Sequence, residues 1–355
     1  MELWFKDLII FECFMLNSNE INIIDLPKLM RAIVLDKPND ELTLSEVKIP
    51  LPIRGEQELL VKVEYVGLNP IDAELVKTGF CDWQYPHTIG FDAVGTVVEA
   101  KKGLFPNVGD RVMWHANIEK QGVLSEYATV PNFAVSVVPN NISSSDAATL
   151  PCSGMAALIA MKKLQVIQGE VIFIDAGAST VGQFAIQFAK NLGADVFTTA
   201  AKRNHKLVKQ LGADVVFDSH DEKLHEKISL EIGPEGFDAV LDSLGGEYTA
   251  RNIELMRFCG RIACLKSLPL FEPSLMFRKA PNIGVISLAG AWLSNSLCAQ
   301  QKMGFMSNEL LDAVAKNKVH TPEVTLVDFT ADDVSCALHT QVNGGFTGKQ
   351  VIKVG

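Results

Sequence analysis

The chain reads as an α/β protein: a β-rich region followed by a doubly wound parallel sheet. Three observations predict this. Residues 171–190, VIFIDAGASTVGQFAIQFAK, run from an apolar, partly β-branched stretch through a small-residue turn into an amphipathic one. Strand-like and helix-like segments then alternate to about residue 295, the mark of an open parallel sheet with helices on both faces. Residues 30 to about 150 instead read as short strands punctuated by Gly, Pro and Asn.

The first of these is the most specific. Val171 to Ile174 is the strand, Gly177-Ala178-Ser179-Thr180 the turn, and Val181 and Gly182 open the helix. Such a turn brings backbone N–H groups and the positive end of a helix against a pyrophosphate. Gly177 permits the sharp turn, and Gly182 lets helix and strand pack closely. Ser179 replaces the middle glycine of G-x-G-x-x-G, so the context carries the assignment. A second strand, Val196 to Ala200, follows at βαβ spacing, and Ala201-Lys202-Arg203 follows it with two cations and no acid. A 2′-phosphate suits that position, which points to NADP(H) over NAD(H). The plain alternative is two solvated cations at a strand-to-helix turn.

The remaining strands of this region are Val215–Phe217, Ala239–Leu241, Arg261–Leu265 and Val285–Leu288. Ligands bind beyond the carboxyl ends of such strands. Asp242, Ser243 and Leu244 therefore belong near the adenosine half, and Leu265, Lys266 and Ser267 near the nicotinamide. Earlier, Met30 opens a first strand, Leu59–Val66 alternates as a half-buried one, and Gly95–Ala100 and Arg111–His115 are short ones. The tail gives a helix, Asn308–Lys316, and a last strand, Gln350–Val354, returning to the β-rich region. The expected division is 30–150 with 296–355 as one discontinuous domain and 151–295 as the dinucleotide-binding domain. Residues 1–29 are unlike the rest. Either Met30 is the biological start or a helix, Trp4 to Met15, docks through its apolar face; the sequence leaves both open.

At 355 residues two domains are expected. Hydrophobic residues make up 48% and charged ones 21%, as in ordinary globular proteins. A net charge of −10 argues against nucleic-acid or anionic-membrane partners. No stretch is long and apolar enough for a membrane span. The seven cysteines are scattered with no C-x-x-C pair, which suggests reduced thiols in the cytoplasm and no cysteine-built zinc site.

Read in order, Gly67-Leu68-Asn69-Pro70-Ile71-Asp72, Tyr85 to Asp92, Gly109-Asp110-Arg111-Val112, Leu150 to Gly154, the 177–182 turn, Asp242 to Gly246 and Gly348-Lys349-Gln350-Val351 form an ordered series. Over residues 30–355 it resembles the medium-chain dehydrogenase/reductase superfamily, in its zinc-free quinone oxidoreductase-like branch. The resemblance implies a GroES-like catalytic domain joined to a Rossmann domain. It implies NADPH as the cofactor and hydride transfer to a small-molecule quinone or α,β-unsaturated carbonyl. It also implies a homodimer formed through the edge strand at Val285–Leu288.

The departures from the zinc alcohol dehydrogenases are informative. Asn69 stands where those enzymes have a cysteine ligand, and Phe91-Asp92 where they have His-Glu. His87 and His115 are available as ligands in principle, but read more simply as polar or core histidines. No metal is expected. The candidate catalytic residues are Asn69, as an amide donor to a developing oxyanion, and Trp83 and Tyr85, on the loop expected to roof the cleft. Each has a plain alternative: a turn residue before Pro70, and ordinary aromatic packing. The tyrosine usual five residues beyond the Asn is replaced by Glu74, and the threonine usual after P-C-x-G by Met155-Ala156-Ala157. Cys152 reads as a small buried residue near the nicotinamide edge. Two further functions stay open: an enoyl-thioester reductase, and an NADPH-binding sensor or scaffold with little turnover.

Overall fold

The computed structural model describes residues 26–355, so the expectation of a helix over Trp4–Met15 lies outside the described residues. Three sheets organise the chain. A seven-stranded sheet contains β3 (Glu58–Gly67), β5 (Asp92–Glu99), β6 (Arg111–His115), β7 (Tyr127–Pro131), β8 (Val135–Val137), β15 (Val324–Asp328) and β16 (Lys349–Lys353). Its order is β15-β16-β3-β5-β6-β8, with β7 also on β3. A small sheet, β2-β1-β4, joins β1 (Leu29–Leu35), β2 (Ser45–Pro50) and β4 (His87–Thr88). β2 alternates half-buried and exposed residues along its length, as a strand with one wet face must.

The third sheet has six parallel strands: β9 (Val171–Ile174), β10 (Asp195–Ala200), β11 (Val215–Asp218), β12 (Phe237–Asp242), β13 (Met256–Cys264) and β14 (Asn282–Val285). The order β11-β10-β9-β12-β13-β14 reverses direction between β9 and β12. Ligands of doubly wound sheets bind at this switch point, beyond the strand ends. The turn at 176–179 and the helix Thr180–Asn191 begin there.

Several elements differ from the sequence reading. The last strand of the parallel sheet is Asn282–Val285, not Val285–Leu288. Ile286 and Leu288 are apolar because they are buried in cores rather than paired in a ladder. The helix expected at Asn308–Lys316 begins at Leu297, where Ser296 accepts a hydrogen bond from the Ala299 N–H. Gly304 hides its early turns from a periodicity search. A Cβ there would stand 2.5 Å from the Phe133 carbonyl oxygen, so this face meets backbone rather than side chains. β15 and the helix Ala331–Asn343 were not anticipated.

The two large sheets meet across one contiguous core. Val94, Met113 and Val351 of the β-rich sheet pack with Ala156, Ala157 and Ala160 of the helix Pro151–Leu164 and with Ile172 and Ile174 of β9. This packing fixes one face of the seven-stranded sheet against the start of the dinucleotide turn. Among the described residues no helix is long and apolar enough to cross a membrane.

A candidate active site between the two sheets

The turn after β9 is built around close approaches. A Cβ on Gly177 would lie 2.1 Å from Thr198 Oγ1, and one on Gly182 would lie 2.5 Å from the Ala176 carbonyl oxygen. Ser179 uses its hydroxyl to accept from the Gly182 N–H at 3.1 Å and so caps the helix itself. The N–H groups of Thr180 and Val181, which no intrahelical carbonyl can reach, remain for a ligand. Ala178, Ser179, Thr180 and Val181 line a cleft of about 240 Å³. Its other wall is Leu68, Asn69, Pro70 and Ser153, and Phe346, Thr347 and Lys349 close one end. Thr180 Oγ1 donates to the Gly348 carbonyl at 3.3 Å, and Thr347 bonds Asn204 at 3.0 Å. These two contacts tie the loop before β16 over the turn.

The other sequence-expected cofactor residues lie at the strand ends. Asp242 accepts from the Leu244 and Gly245 N–H groups at 3.2 and 3.1 Å, which shapes the loop carrying Ser243 and Leu244. Ser243 Oγ is buried without a partner, an orphan group that a bound dinucleotide would satisfy. Leu265 is half-buried beyond β13, and Lys266 and Ser267 are exposed next to it. Lys266 Nζ lies 3.9 Å from Glu74 of the β-rich domain. Ala201 precedes Lys202 and Arg203, both exposed. Lys202 reaches Asp218 at 3.5 Å with its side chain 82% exposed, so it is free to turn to a phosphate. The open N–H groups, the orphan Ser243 hydroxyl and the nearby cations fit a dinucleotide.

The polar wall of the cleft comes from strand register. Val351 of β16 lies opposite Gly67 of β3, Gly67 opposite Asp92 of β5, and Asp92 opposite His115 of β6. Directly paired residues share a face, so this row and Lys349, two residues before Val351, point the same way. Gly67 leaves room for the lysine: a Cβ there would stand 3.2 Å from Lys349 Cε and 2.2 Å from the Ala148 carbonyl oxygen.

The result is a buried network. Asp92 Oδ1 bonds His115 Nδ1 at 2.8 Å, and Asp92 Oδ2 accepts from Asn69 Nδ2 at 2.9 Å. Lys349 Nζ lies 3.4 Å from Asp92 Oδ2, donates to Asn69 Oδ1, and reaches Ser153 Oγ at 3.4 Å. Asp92 and Lys349 are 0 and 2% exposed. Burial works to raise the Asp92 carboxyl, but the Lys349 ammonium and the His115 and Asn69 hydrogen bonds outweigh it, and the group is held below its usual range. Asp72, also buried, is pushed up to about 7, chiefly by burial and then by Asp92, against the Asn69 N–H bond that opposes the rise. Burial drives the Cys152 thiol far above its ordinary value, which keeps it protonated.

This geometry corrects two expectations about the catalytic residues. Asn69 Nδ2 donates to Asp92 and to the Gly67 carbonyl at 3.3 Å, so both amide hydrogens are spent within the protein. Asn69 orients Lys349 and Asp92 rather than offering a free donor. Trp83 is 5% exposed, stacks on His87 at 3.9 Å, and donates its indole N–H to the Ile118 carbonyl at 2.7 Å. It belongs to the core of the β-rich domain, and does not roof the cleft. Tyr85 is 37% exposed, with its hydroxyl beside Gly79. Asp92, His115, Ser153 and Lys349 were missed as functional residues.

Asp92, His115 and Cys152 hold the one grouping of metal-ligand atoms found among the described residues, with all their donor atoms within 4.8 Å. The donor set does not fit a divalent ion. The Lys349 ammonium already stands on Asp92 at 3.4 Å, so an ion held there would face a buried like charge.

Comparison with known proteins agrees with this architecture. The zinc-binding dehydrogenase family matches residues 180–300, and the alcohol dehydrogenase GroES-like domain family matches residues 55–140. The trans-enoyl reductase tazE of Aspergillus terreus is 33% identical over 224 residues, covering 58% of this chain and 73% of tazE. The chloroplastic NADPH-dependent alkenal/one oxidoreductase of Arabidopsis thaliana is 31% identical over 236 residues, covering 62% of this chain and 58% of that protein. A quinone oxidoreductase structure from Pseudomonas syringae pv. Tomato DC3000 superposes with a TM-score of 0.82 at 21% identity, over 92% of this chain and 100% of that one. The chain belongs to the medium-chain dehydrogenase/reductase superfamily of oxidoreductases.

Proposed function

We propose that this protein is an NADPH-dependent, zinc-independent reductase that transfers hydride to activated acceptors, α,β-unsaturated carbonyls first and quinones second. One observation carries this reading. The dinucleotide turn faces a wall whose cation is a buried ammonium, Lys349, held by Asp92 and Asn69. A fixed positive charge in a low-dielectric cleft stabilises an oxyanion as it develops, and it does so without a metal.

A bound reduced nicotinamide supplies the hydride; the protein supplies position, charge and exclusion of water. Thr180 and Val181 offer N–H groups to the pyrophosphate, and Lys202 and Arg203 offer charge to a 2′-phosphate. Unsaturated carbonyls rank first because the names of the related proteins include a trans-enoyl reductase and an alkenal/one oxidoreductase. A trans-enoyl thioester is the natural subclass of that choice. The exposed edge strand β14, with Val285 half-exposed, suits pairing with a second copy. The unpaired cysteines among the described residues suit the reducing cytoplasm.

The test is oxidation of NADPH and of NADH by the purified protein, with an enone, a trans-enoyl thioester and 9,10-phenanthrenequinone as acceptors, with and without EDTA. Turnover that prefers NADPH and ignores EDTA is the expected result. Loss of turnover on chelation overturns the zinc-independent reading. Tight NADPH binding with no turnover on any acceptor moves the protein to the sensor class.

A further inference from the structure

We propose that Asp92 and His115 form an acid pair in which His115 Nε2–H protonates the α carbon of the reduced acceptor. The inference rests on the reading that this cleft delivers hydride to an activated alkene.

Hydride transfer is half of alkene reduction. The β carbon gains the hydride, the π pair moves onto the carbonyl oxygen, and a proton must then reach the α carbon. The chain has to hold an acid at the cleft that solvent can recharge. Four titratable groups besides His115 surround the row of paired residues: Asp92, Asp72, Cys152 and Lys349. Asp92 is ionised and accepts from three partners. Asp72 is fully buried, and its Oδ1 is sealed from solvent without a partner. The Cys152 thiol is too weak an acid. Lys349 is committed to Asn69, Asp92 and Ser153.

His115 has the opposite arrangement. Its Nδ1 is held by Asp92 at 2.8 Å, and its Nε2 has no hydrogen-bond partner among the described residues yet is not sealed from solvent. The two histidines available to sequence reasoning thus separate cleanly. His87 has both ring nitrogens buried, and burial pushes its pKa down to about 4. His115 stands at the domain interface, its ring within 4.8 Å of Cys152 Sγ at the start of the helix Pro151–Leu164. A carboxylate on one ring nitrogen fixes the tautomer and stabilises the imidazolium, leaving the other nitrogen to exchange a proton with substrate. His115 is then the catalytic residue and Asp92 its positioning residue. After donation, neutral His115 keeps hydrogen on Nδ1 and takes a proton from water at Nε2, so the cycle consumes one NADPH and one solvent proton per saturated carbonyl formed.

The experiment compares wild type with His115→Gln on two acceptors. Protonation of carbon is slow, whereas a reduced quinone takes its protons on oxygen directly from water. H115Q should lower kcat on the enone by about 100-fold more than it lowers turnover of 9,10-phenanthrenequinone, because any loss through the Asp92–Lys349 pair is common to both acceptors. Wild type in D₂O should place deuterium on one face of the α carbon. A ligand-free readout is the imidazole ¹⁵N spectrum: the neutral His115 ring should carry its hydrogen on Nδ1, the nitrogen that Asp92 holds. Equal losses on enone and quinone, deuterium on both faces in wild type, or a neutral ring with its hydrogen on Nε2 would each overturn the proposal. Absence of wild-type enone turnover would remove the functional reading, and this inference with it.

Discussion

Replacing Asp72 by Asn tests the electrostatics of the buried network most directly. Asp72 lies at the start of the helix Pro70–Thr78, where its Oδ2 accepts from the Asn69 N–H at 2.6 Å. An Asn side chain keeps the shape and that acceptor. Burial penalises the charged form of the native carboxyl and pushes its pKa from the ordinary 3.8 up to about 7. A raised acid binds its proton more tightly in the folded than in the unfolded chain. Stability from this group therefore falls as pH rises from about 4 to about 7, and is flat above. At 1.36 kcal/mol per pKa unit the full span is about 4 kcal/mol, of which about 3 kcal/mol falls between pH 5 and pH 8. D72N lacks this titration. The assay is urea unfolding of both proteins across that interval. The difference, wild type minus D72N, should become less favourable to wild type by about 3 kcal/mol from pH 5 to pH 8. Parallel pH profiles would refute a protonated Asp72, and with it the assignment of the buried Lys349 ammonium to Asp92.

Three other substitutions probe the rest of the site. Lys349→Met strips Asp92 of its ammonium and should destabilise the protein by about 3–5 kcal/mol at neutral pH. That loss should shrink as acid protonates Asp92, a trend visible in denaturation midpoints. Gly182→Ala drives a Cβ to 2.5 Å from the Ala176 carbonyl oxygen, a backbone atom that cannot swing aside. It should weaken NADPH binding at least about tenfold, or about 1.4 kcal/mol, by calorimetry. Replacing Lys202 and Arg203 with Ala should raise the KM for NADPH by about 10–100-fold, the worth of hydrogen bonds to a charged group, and leave the KM for NADH unchanged.

What could be read in the sequence divides along a physical line. The turn at 177–182 is local: every group that shapes it lies within about one βαβ unit, so spacing and residue size disclosed it. The cap on the helix Ala331–Asn343 was equally local and passed unread. Thr330 accepts from the Asp333 N–H, acids fill the first turn, and Gly344 ends the helix at a φ of 67°. The strand at Val285–Leu288 was misplaced because an apolar run reports burial, and burial in a loop reads the same as burial in a ladder. The network of Asp92, His115, Asn69 and Lys349 is of a different kind. Its partners are 23 to 280 residues apart, and what gathers them is the register of four strands. A slip of one residue in any pairing would turn a side chain to the opposite face. Asn69 and His115 were each weighed alone, as a donor and as a possible ligand, and Asp92 was read only as a departure from a His-Glu pair. In the fold they hold one another: Asn69 is spent on Asp92, Asp92 fixes His115, and the one nitrogen left unspoken for is His115 Nε2. A polar residue's role here is set by which of its hydrogen-bonding positions its neighbours leave open.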